Sequence, residues 1–125
     1  NDVRYFDGGL SDPIPINFAI EKGCEKIVVI WTKPINDMGN FKLDEMAGHA
    51  LKKNYPNISK DLLNRKKKVE KALEYAKKLR DEGKVLIVSP ESIGKMSTLT
   101  KDKEALDRLY KIGYSDAEKI IDFIK

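Results

Sequence analysis

Two unbroken apolar runs do most to limit how this chain can fold. One lies in Lys26–Thr32 and the other in Lys84–Pro90. Neither run alternates with polar residues, which is typical of strands covered on both faces, as in a parallel sheet. The sequence therefore predicts an α/β fold, with a small, mostly parallel sheet flanked by helices.

A third strand is predicted at the start of the chain, in Val3–Phe6, ending at Asp7. Pro13 and Pro15 then predict the start of a helix, because proline is tolerated in a first helical turn. Gly23 predicts its end. Together with the strand at Lys26–Thr32, these elements predict a βαβ unit.

Helical spacing of apolar residues predicts the remaining elements. Pro34–Lys42 and Glu91–Leu99 are predicted as loops, and Pro56 as a break. A long helix from about Ser59 to Glu82 carries one apolar stripe and ends at Gly83; the stripe consists of Leu62, Leu63, Val69, Leu73, Ala76 and Leu79. One further helix is predicted through Leu43, Met46, Ala47 and Ala50. Two final helices are predicted at Lys101–Ile112 and Ser115–Ile124, separated by Gly113-Tyr114.

Composition limits the class of protein. A chain of 125 residues that is 41% hydrophobic and 35% charged is typical of a soluble globular domain. A single cysteine, Cys24, cannot form an internal disulfide, which favours a reducing, cytoplasmic location. No apolar run approaches the roughly 18–20 residues of a membrane span. The first strand lacks an earlier neighbour and the chain lacks an initiator methionine, so we expect a longer parent protein.

Common catalytic and binding motifs are missing from the sequence. Pro90-Glu91-Ser92-Ile93-Gly94 comes nearest to the G-x-S-x-G nucleophile elbow, but proline replaces its first glycine. His49 has no second histidine at helical spacing, and Cys24 has no histidine nearby in sequence. Neither G-x-G-x-x-G nor a P-loop is present. We therefore expect no metal site and no cofactor.

Asp7-Gly8-Gly9 allows two interpretations. Asp-Gly is a common turn pair, so Asp7 can be a purely structural turn residue. Alternatively, the glycines leave room for a reacting group to approach the carboxylate. A haloacid-dehalogenase-type phosphatase would need a second acid two residues after Asp7, where Gly9 stands. The residues alone leave the first two interpretations open.

A longer stretch carries a more specific signal. Phe6-Asp7-Gly8-Gly9-Leu10-Ser11-Asp12-Pro13-Ile14-Pro15-Ile16, followed by Ala19, Gly23 and Lys26–Ile30, resembles the aspartate motif of patatin-like phospholipases. Further segments are similar to the C-terminal region of bacterial members: Tyr55-Pro56, Asn64-Arg65, Gly83–Pro90 and Tyr110–Ala117. Bacterial relatives often carry a tyrosine–asparagine pair where this chain has Lys68, Val69 and Glu70. The resemblance covers nearly the whole chain.

The resemblance implies a function for the parent protein. Its family hydrolyses lipid esters with a serine–aspartate dyad in a three-layer α/β fold, here represented in part. Asp7 matches the catalytic aspartate, and Gly8 and Gly9 match its small neighbours. The family's glycine-rich oxyanion loop and serine elbow precede this motif, so the chain alone is expected to be inactive. By resemblance, residues 1–32 belong to the catalytic domain and residues 33–125 to the family's C-terminal region.

A basic segment gives an alternative function. Residues 52–84 contain 12 Lys and Arg against five Asp and Glu. We interpret this excess chiefly as a solvated helix face and expect no nucleic-acid partner. Arg65, Lys66, Lys67 and Lys68 are candidates for contact with an anionic membrane surface. The alternatives to the enzyme are a non-enzymatic α/β module that binds a partner through this helix, and a degenerate family member without a working serine. A severed sheet edge also predicts self-association of the fragment.

Overall fold

The computed structural model describes residues 5–97 and 99–125. Their fold is α/β, with a small parallel sheet and several helices. A short 3₁₀ helix, Gly8–Leu10, comes first. The regular elements that follow are α1 (Ile16–Glu21), β1 (Ile27–Ile30), α2 (Lys42–Leu51), α3 (Pro56–Asp81), β2 (Val85–Val88), α4 (Lys103–Asp116) and α5 (Glu118–Ile124).

Two strands form the sheet in the described part of the chain. β1 and β2 are parallel, in a register that pairs Ile27 with Val85 and Ile30 with Val88. The predicted third strand is wrong where it can be examined, because Tyr5 and Phe6 adopt no regular structure. Val3 and Arg4 lie outside the described residues. Among the described residues, no strand precedes α1 to complete the predicted βαβ unit.

The chain divides into two compact units. The first comprises the described part of Asn1–Gly23 together with Met38–Tyr75, and the second comprises Cys24–Asp37 with Ala76–Lys125. This division rests on packing. The expected boundary between residues 32 and 33 concerns family relationship and stays a prediction.

The first unit is built on the N-terminal three-quarters of α3. Leu62, Val69 and Leu73 are buried on one face of this helix, as the apolar stripe predicted. Leu63 differs, with 38% of its surface exposed. It lies over Gly48 of α2, where an added Cβ would come within 2.8 Å of Leu63 Cγ. The absence of a side chain at residue 48 therefore permits this close approach.

The second unit is built around the sheet. Val29, Val85 and Val88 are buried, while Ile30 is 70% exposed, so the expected cover on both faces of β1 is incomplete. α5 contacts both β2 and α4. Lys26 Nζ donates a 2.6 Å hydrogen bond to the carbonyl of Phe123 near the end of α5. A cation there is favourable because carbonyl groups are unpaired at a helix C-terminus.

Helix ends follow the predicted chemistry with some corrections. α1 begins after Pro15 and its chain leaves through Gly23 at φ +82°. α3 ends in a Schellman arrangement, with Gly83 at φ +75° and a 2.9 Å hydrogen bond from Lys84 N to Leu79 O. Pro56 does interrupt the helical pattern, but it is the first residue of α3, which begins earlier than the expected Ser59.

The predicted break between the two terminal helices is misplaced. Gly113 and Tyr114 lie inside α4, which continues to Asp116. Asp102 is the N-cap of α4, and its carboxylate accepts hydrogen bonds from the backbone N–H groups of Glu104 and Ala105. A well-capped start and continuing i,i+4 contacts outweigh the cost of about 1 kcal/mol for one helical glycine. None of the helices in the described ranges has the length and hydrophobicity needed to cross a membrane.

The pKa of Glu82, just beyond α3, lies below its ordinary value. The main cause is a 3.0 Å hydrogen bond from Lys84 Nζ to its carboxylate; the Lys84 charge adds to it, and Lys78 contributes less. Because the folded-state pKa is depressed, this pair stabilises the fold above the unfolded pKa of Glu82. That contribution is lost as the pH falls through the folded pKa.

We expect Lys84→Met to return the pKa of Glu82 toward its ordinary value, because the largest cause of the shift is removed. NMR titration of the Glu82 side-chain carboxyl carbon measures the change. Lys78→Met is the matched control and should raise the pKa less. Equal titration curves for wild type and Lys84→Met would contradict the assignment.

Candidate active site

Asp7 caps the 3₁₀ helix Gly8–Leu10. Its Oδ1 accepts a 2.9 Å hydrogen bond from the backbone N–H of Gly9, and its carbonyl accepts one from Leu10 at 3.1 Å. The residue is exposed, and no hydrogen bond from a described residue reaches Oδ2. One carboxylate oxygen therefore holds the turn, while the other remains available to a group outside the turn.

Gly8 and Gly9 do not serve the turn by adopting a left-handed backbone. Among the described glycines, positive φ angles occur at Gly23, Gly39, Gly83 and Gly94. A Cβ added at Gly8 would meet no atom within 4 Å, and one at Gly9 would lie 3.4 Å from Asp7 Oδ1. The turn itself therefore tolerates a side chain at both positions. The small size of these residues leaves space beside the carboxylate.

Lys68 of α3 holds the segment that follows this turn. Its Nζ donates a 3.0 Å hydrogen bond to the carbonyl of Ser11 and a 2.7 Å hydrogen bond to the carboxylate of Asp61. Asp61 and Lys68 lie two helical turns apart, so they share one face of α3. Lys68 thus performs a structural task inside the first unit, a role that the sequence analysis missed. The Asp61–Lys68 spacing was the available signal, but Ser11 could not be deduced from it.

The four candidates for membrane contact, residues 65–68, consequently separate into two pairs. Arg65 Nη1 bridges both oxygens of Asp44 on α2, at 3.2 and 3.3 Å, and its buried Nε has no hydrogen-bond partner among the described atoms. With Lys68, it belongs to the packing of the first unit. Lys66 and Lys67 are exposed, and Lys66 approaches Glu70 only to 3.9 Å. These two residues are the available cations of the four.

The other candidate side chains are exposed or engaged in local turns. His49 is exposed on α2, and Cys24 is exposed between α1 and β1. Ser92 Oγ accepts a 3.1 Å hydrogen bond from Gly94 N, as in a local turn, and no helix follows it directly. Within residues 5–97 and 99–125, no group of three His, Cys, Asp or Glu side chains is arranged to hold a metal ion.

Aromatic rings lie next to the Asp7 turn. The rings of Phe6 and Tyr55 have centroids 6.1 Å apart and planes inclined at 60°. This contact joins the residue before Asp7 to the residue before α3 in the first unit.

Comparison with known proteins places most of the chain in one family. Residues 55–125 match the family described as Domain of unknown function (DUF6363). The chain belongs to this DUF6363 family. The matched range contains α3, β2, α4 and α5, whereas the Asp7 turn lies before it. No curated protein and no solved structure matches the chain.

The role of Lys68 in this family member is directly testable. Lys68→Met should lower the free energy of unfolding by about 1–2 kcal/mol, because a charged hydrogen-bond pair and the link to Ser11 are both lost. Urea unfolding followed by circular dichroism measures the effect. The exposed neighbour gives the control, since Lys67→Met should change stability by less than about 0.5 kcal/mol. Equal effects of both substitutions would contradict the structural role of Lys68.

Proposed function

We propose that this chain supplies the catalytic aspartate, Asp7, of a patatin-like lipid acyl hydrolase. The nucleophilic serine and the oxyanion loop would lie upstream of Asn1, and the α/β fold would form part of a three-layer catalytic fold. The observation that carries the proposal is the state of Asp7. One oxygen fixes a tight turn, while the other accepts no hydrogen bond from a described residue, and the two residues that follow this exposed aspartate have no side chains.

The proposed chemistry begins with a serine hydroxyl, which is a poor nucleophile until an adjacent base accepts its proton. Asp7 would accept that proton directly and return it to the leaving alcohol. This requires a serine Oγ within hydrogen-bond reach of the carboxylate, at roughly 2.6–3.2 Å. The open space at Gly8 is compatible with such an approach, since an added Cβ there meets no neighbour. Backbone N–H groups of the oxyanion loop would hold the developing negative charge.

Several hydrogen bonds hold the turn and the residue after it in place. Its backbone is closed by hydrogen bonds from Leu10 N to Asp7 O and from Asp12 N to Gly8 O, at 3.1 and 2.9 Å. Lys68 then links the following residue, Ser11, to α3. A general base needs a fixed position relative to its nucleophile, because small displacements reduce the rate strongly. These contacts support Asp7 as a positioned base over Asp7 as a loosely held surface acid.

A fluorophosphonate probe tests the proposal, since it labels activated serine nucleophiles. We expect it to label the full-length protein at a serine upstream of Asn1, within a G-x-S-x-G sequence that follows a strand. The 125-residue chain alone should remain unlabelled. Peptide mass spectrometry identifies the modified residue. A full-length protein that is folded but unlabelled, or one labelled at Ser92, would overturn the proposal; the first result would favour a degenerate, inactive member.

Contact with an anionic membrane, proposed for the same enzyme, would depend on Lys66 and Lys67. Their combined replacement by glutamine should weaken binding to phosphatidylserine-containing vesicles by about 2 kcal/mol, or roughly 30-fold, at low salt. Vesicle co-sedimentation of the full-length protein measures this. The control carries Lys119→Gln and Lys125→Gln, with the same loss of charge. If the affinity for vesicles changed neither with the Lys66/Lys67 replacement nor with the salt concentration, docking through these residues would be excluded.

A further inference from the structure

A groove in the second unit lies along α4 and belongs to no site described above. It encloses about 620 Å³ and is formed by the chain before α4 and by the first three turns of that helix. This volume lies within the range of about 300–1,000 Å³ that is usual for small-ligand sites. The lining residues all fall within the range matched by the DUF6363 family.

The floor of the groove is apolar. Ile93 and Met96 contribute from the loop, and Leu109 and Ile112 contribute from α4, at helical spacing. All four side chains keep part of their surface accessible. Ala105, one turn before Leu109, is buried and brings the backbone of α4 close to the floor. This surface can accept an alkyl chain, and burying it would be favourable.

Three cations stand on the rim of the same groove: Lys95, Lys101 and Arg108. Neither lysine forms an ion pair with a described residue. Arg108 approaches Glu104 only to 4.0 Å, with both side chains well exposed, so this pair is weak. The lining also contains Asp102, but its Oδ1 is already bound to the N–H groups of Glu104 and Ala105 at 3.0 and 3.2 Å. The rim therefore has an excess of positive charge.

We propose that this groove binds a medium-chain fatty-acid carboxylate, with the alkyl chain on the apolar floor and the head group among the rim cations. Charge complementarity requires an anionic head, and the apolar floor requires a chain. Among the residues that the structure describes, no aromatic ring lines the groove, so a base-stacking ligand has no platform there. The inference does not rest on the proposed hydrolase function, because the groove and Asp7 share no residue.

Methionine NMR gives a test with internal controls. The chain contains three methionines, of which Met96 lines the groove while Met38 and Met46 do not. The full-length protein is labelled with ¹³C at its methionine methyl groups and titrated with dodecanoate below its micelle concentration. We expect a saturable shift of Met96 alone among these three. A shift of all three together, or no saturable shift at Met96, would overturn the proposal.

Changes of ligand and of protein test the two parts of the site separately. Dodecanoate should bind at least about tenfold more tightly than octanoate, since its four additional methylenes bury further apolar surface even where the open groove covers them only in part. The variant Lys95→Gln/Lys101→Gln/Arg108→Gln should bind dodecanoate about tenfold more weakly, whereas Lys103→Gln/Lys119→Gln/Lys125→Gln should bind it as the wild type does. Equal affinity for dodecanol, or tighter binding of dodecyl phosphate, would each overturn the assignment.

The same titration in an Asp7→Asn background separates this site from the proposed active site. We expect the Met96 shift to be unchanged in that variant. Loss of the shift would overturn the inference, because it would place the bound carboxylate at the hydrolase site. If fluorophosphonate does not label the protein but Met96 still shifts with dodecanoate, the fatty-acid site in the groove is supported and the hydrolase function is excluded.

Discussion

Asp7→Asn in the full-length protein is expected to reduce hydrolysis of a short-chain p-nitrophenyl ester by about 10²–10⁴-fold, because a general base contributes rate factors of this size. Asparagine keeps the shape of aspartate and caps a helix about equally well. The 2.9 Å hydrogen bond from Gly9 N can therefore be retained. What asparagine cannot do is accept the serine proton. The substitution thus separates the catalytic role of Asp7 from its role in the turn.

Asp12→Asn is the matched control. Asp12 is an exposed aspartate at the end of the same turn, and its backbone N–H donates to Gly8 O. Its replacement removes one negative charge from nearly the same place and should leave turnover within about threefold, as for a surface change. Thermal unfolding should show that both variants remain folded. Wild-type turnover by Asp7→Asn, or equal losses in the two variants, would eliminate Asp7 as the base.

Leu73→Ala is expected to lower the free energy of unfolding by about 2–5 kcal/mol, because it leaves a cavity in a packed interior. Leu73 is only 3% exposed on the buried face of α3. Losses of this size are a large part of the total stability of a small domain. Urea unfolding measured by circular dichroism should show a lower midpoint with an unchanged slope.

Leu63→Ala provides the comparison within the same helix. Both residues belong to the predicted apolar stripe, but Leu63 is 38% exposed and lies over Gly48. Its truncation loses less buried surface and should cost about 1 kcal/mol. If Leu63→Ala proved as damaging as Leu73→Ala, the packing of the first unit described above would be incorrect.

The sequence predicted the regular elements wherever local chemistry decides them. Gly23 and Gly83 end helices because they can adopt a positive φ, and the apolar runs of β1 and β2 form strands. Prediction failed where contacts with other parts of the fold decide the local structure. Tyr5 and Phe6 have strand-like residue types but no regular structure, and Gly113 is carried inside α4 by the helix around it. A strand needs a partner, and its presence cannot be deduced from the strand's own residues.

The candidate site shows the same limit. The motif around Asp7 was recognisable, and so was a turn, because Asp-Gly pairs are common in turns. Gly8 and Gly9 were expected to leave room for a group to approach the carboxylate, and since neither has a positive φ angle, the turn itself does not require glycine at these positions. Lys68 could be identified as a cation, but its bond to the carbonyl of Ser11 joins residues that are far apart in the chain. Only the folded arrangement reveals that this cation is structural.

The parallel pairing of β1 with β2 also has a consequence for the order of folding. These strands are separated by α2 and α3, so the pair closes a long stretch of chain and no hairpin can bring it together. Closing such a stretch has an entropic cost that the strand contacts can offset only after they have formed. A formed α3 reduces this cost, because it shortens the flexible chain between the strands and the turn at Gly83 fixes the start of β2 relative to the end of the helix. The sheet is therefore expected to form late, with the long helix as its precursor.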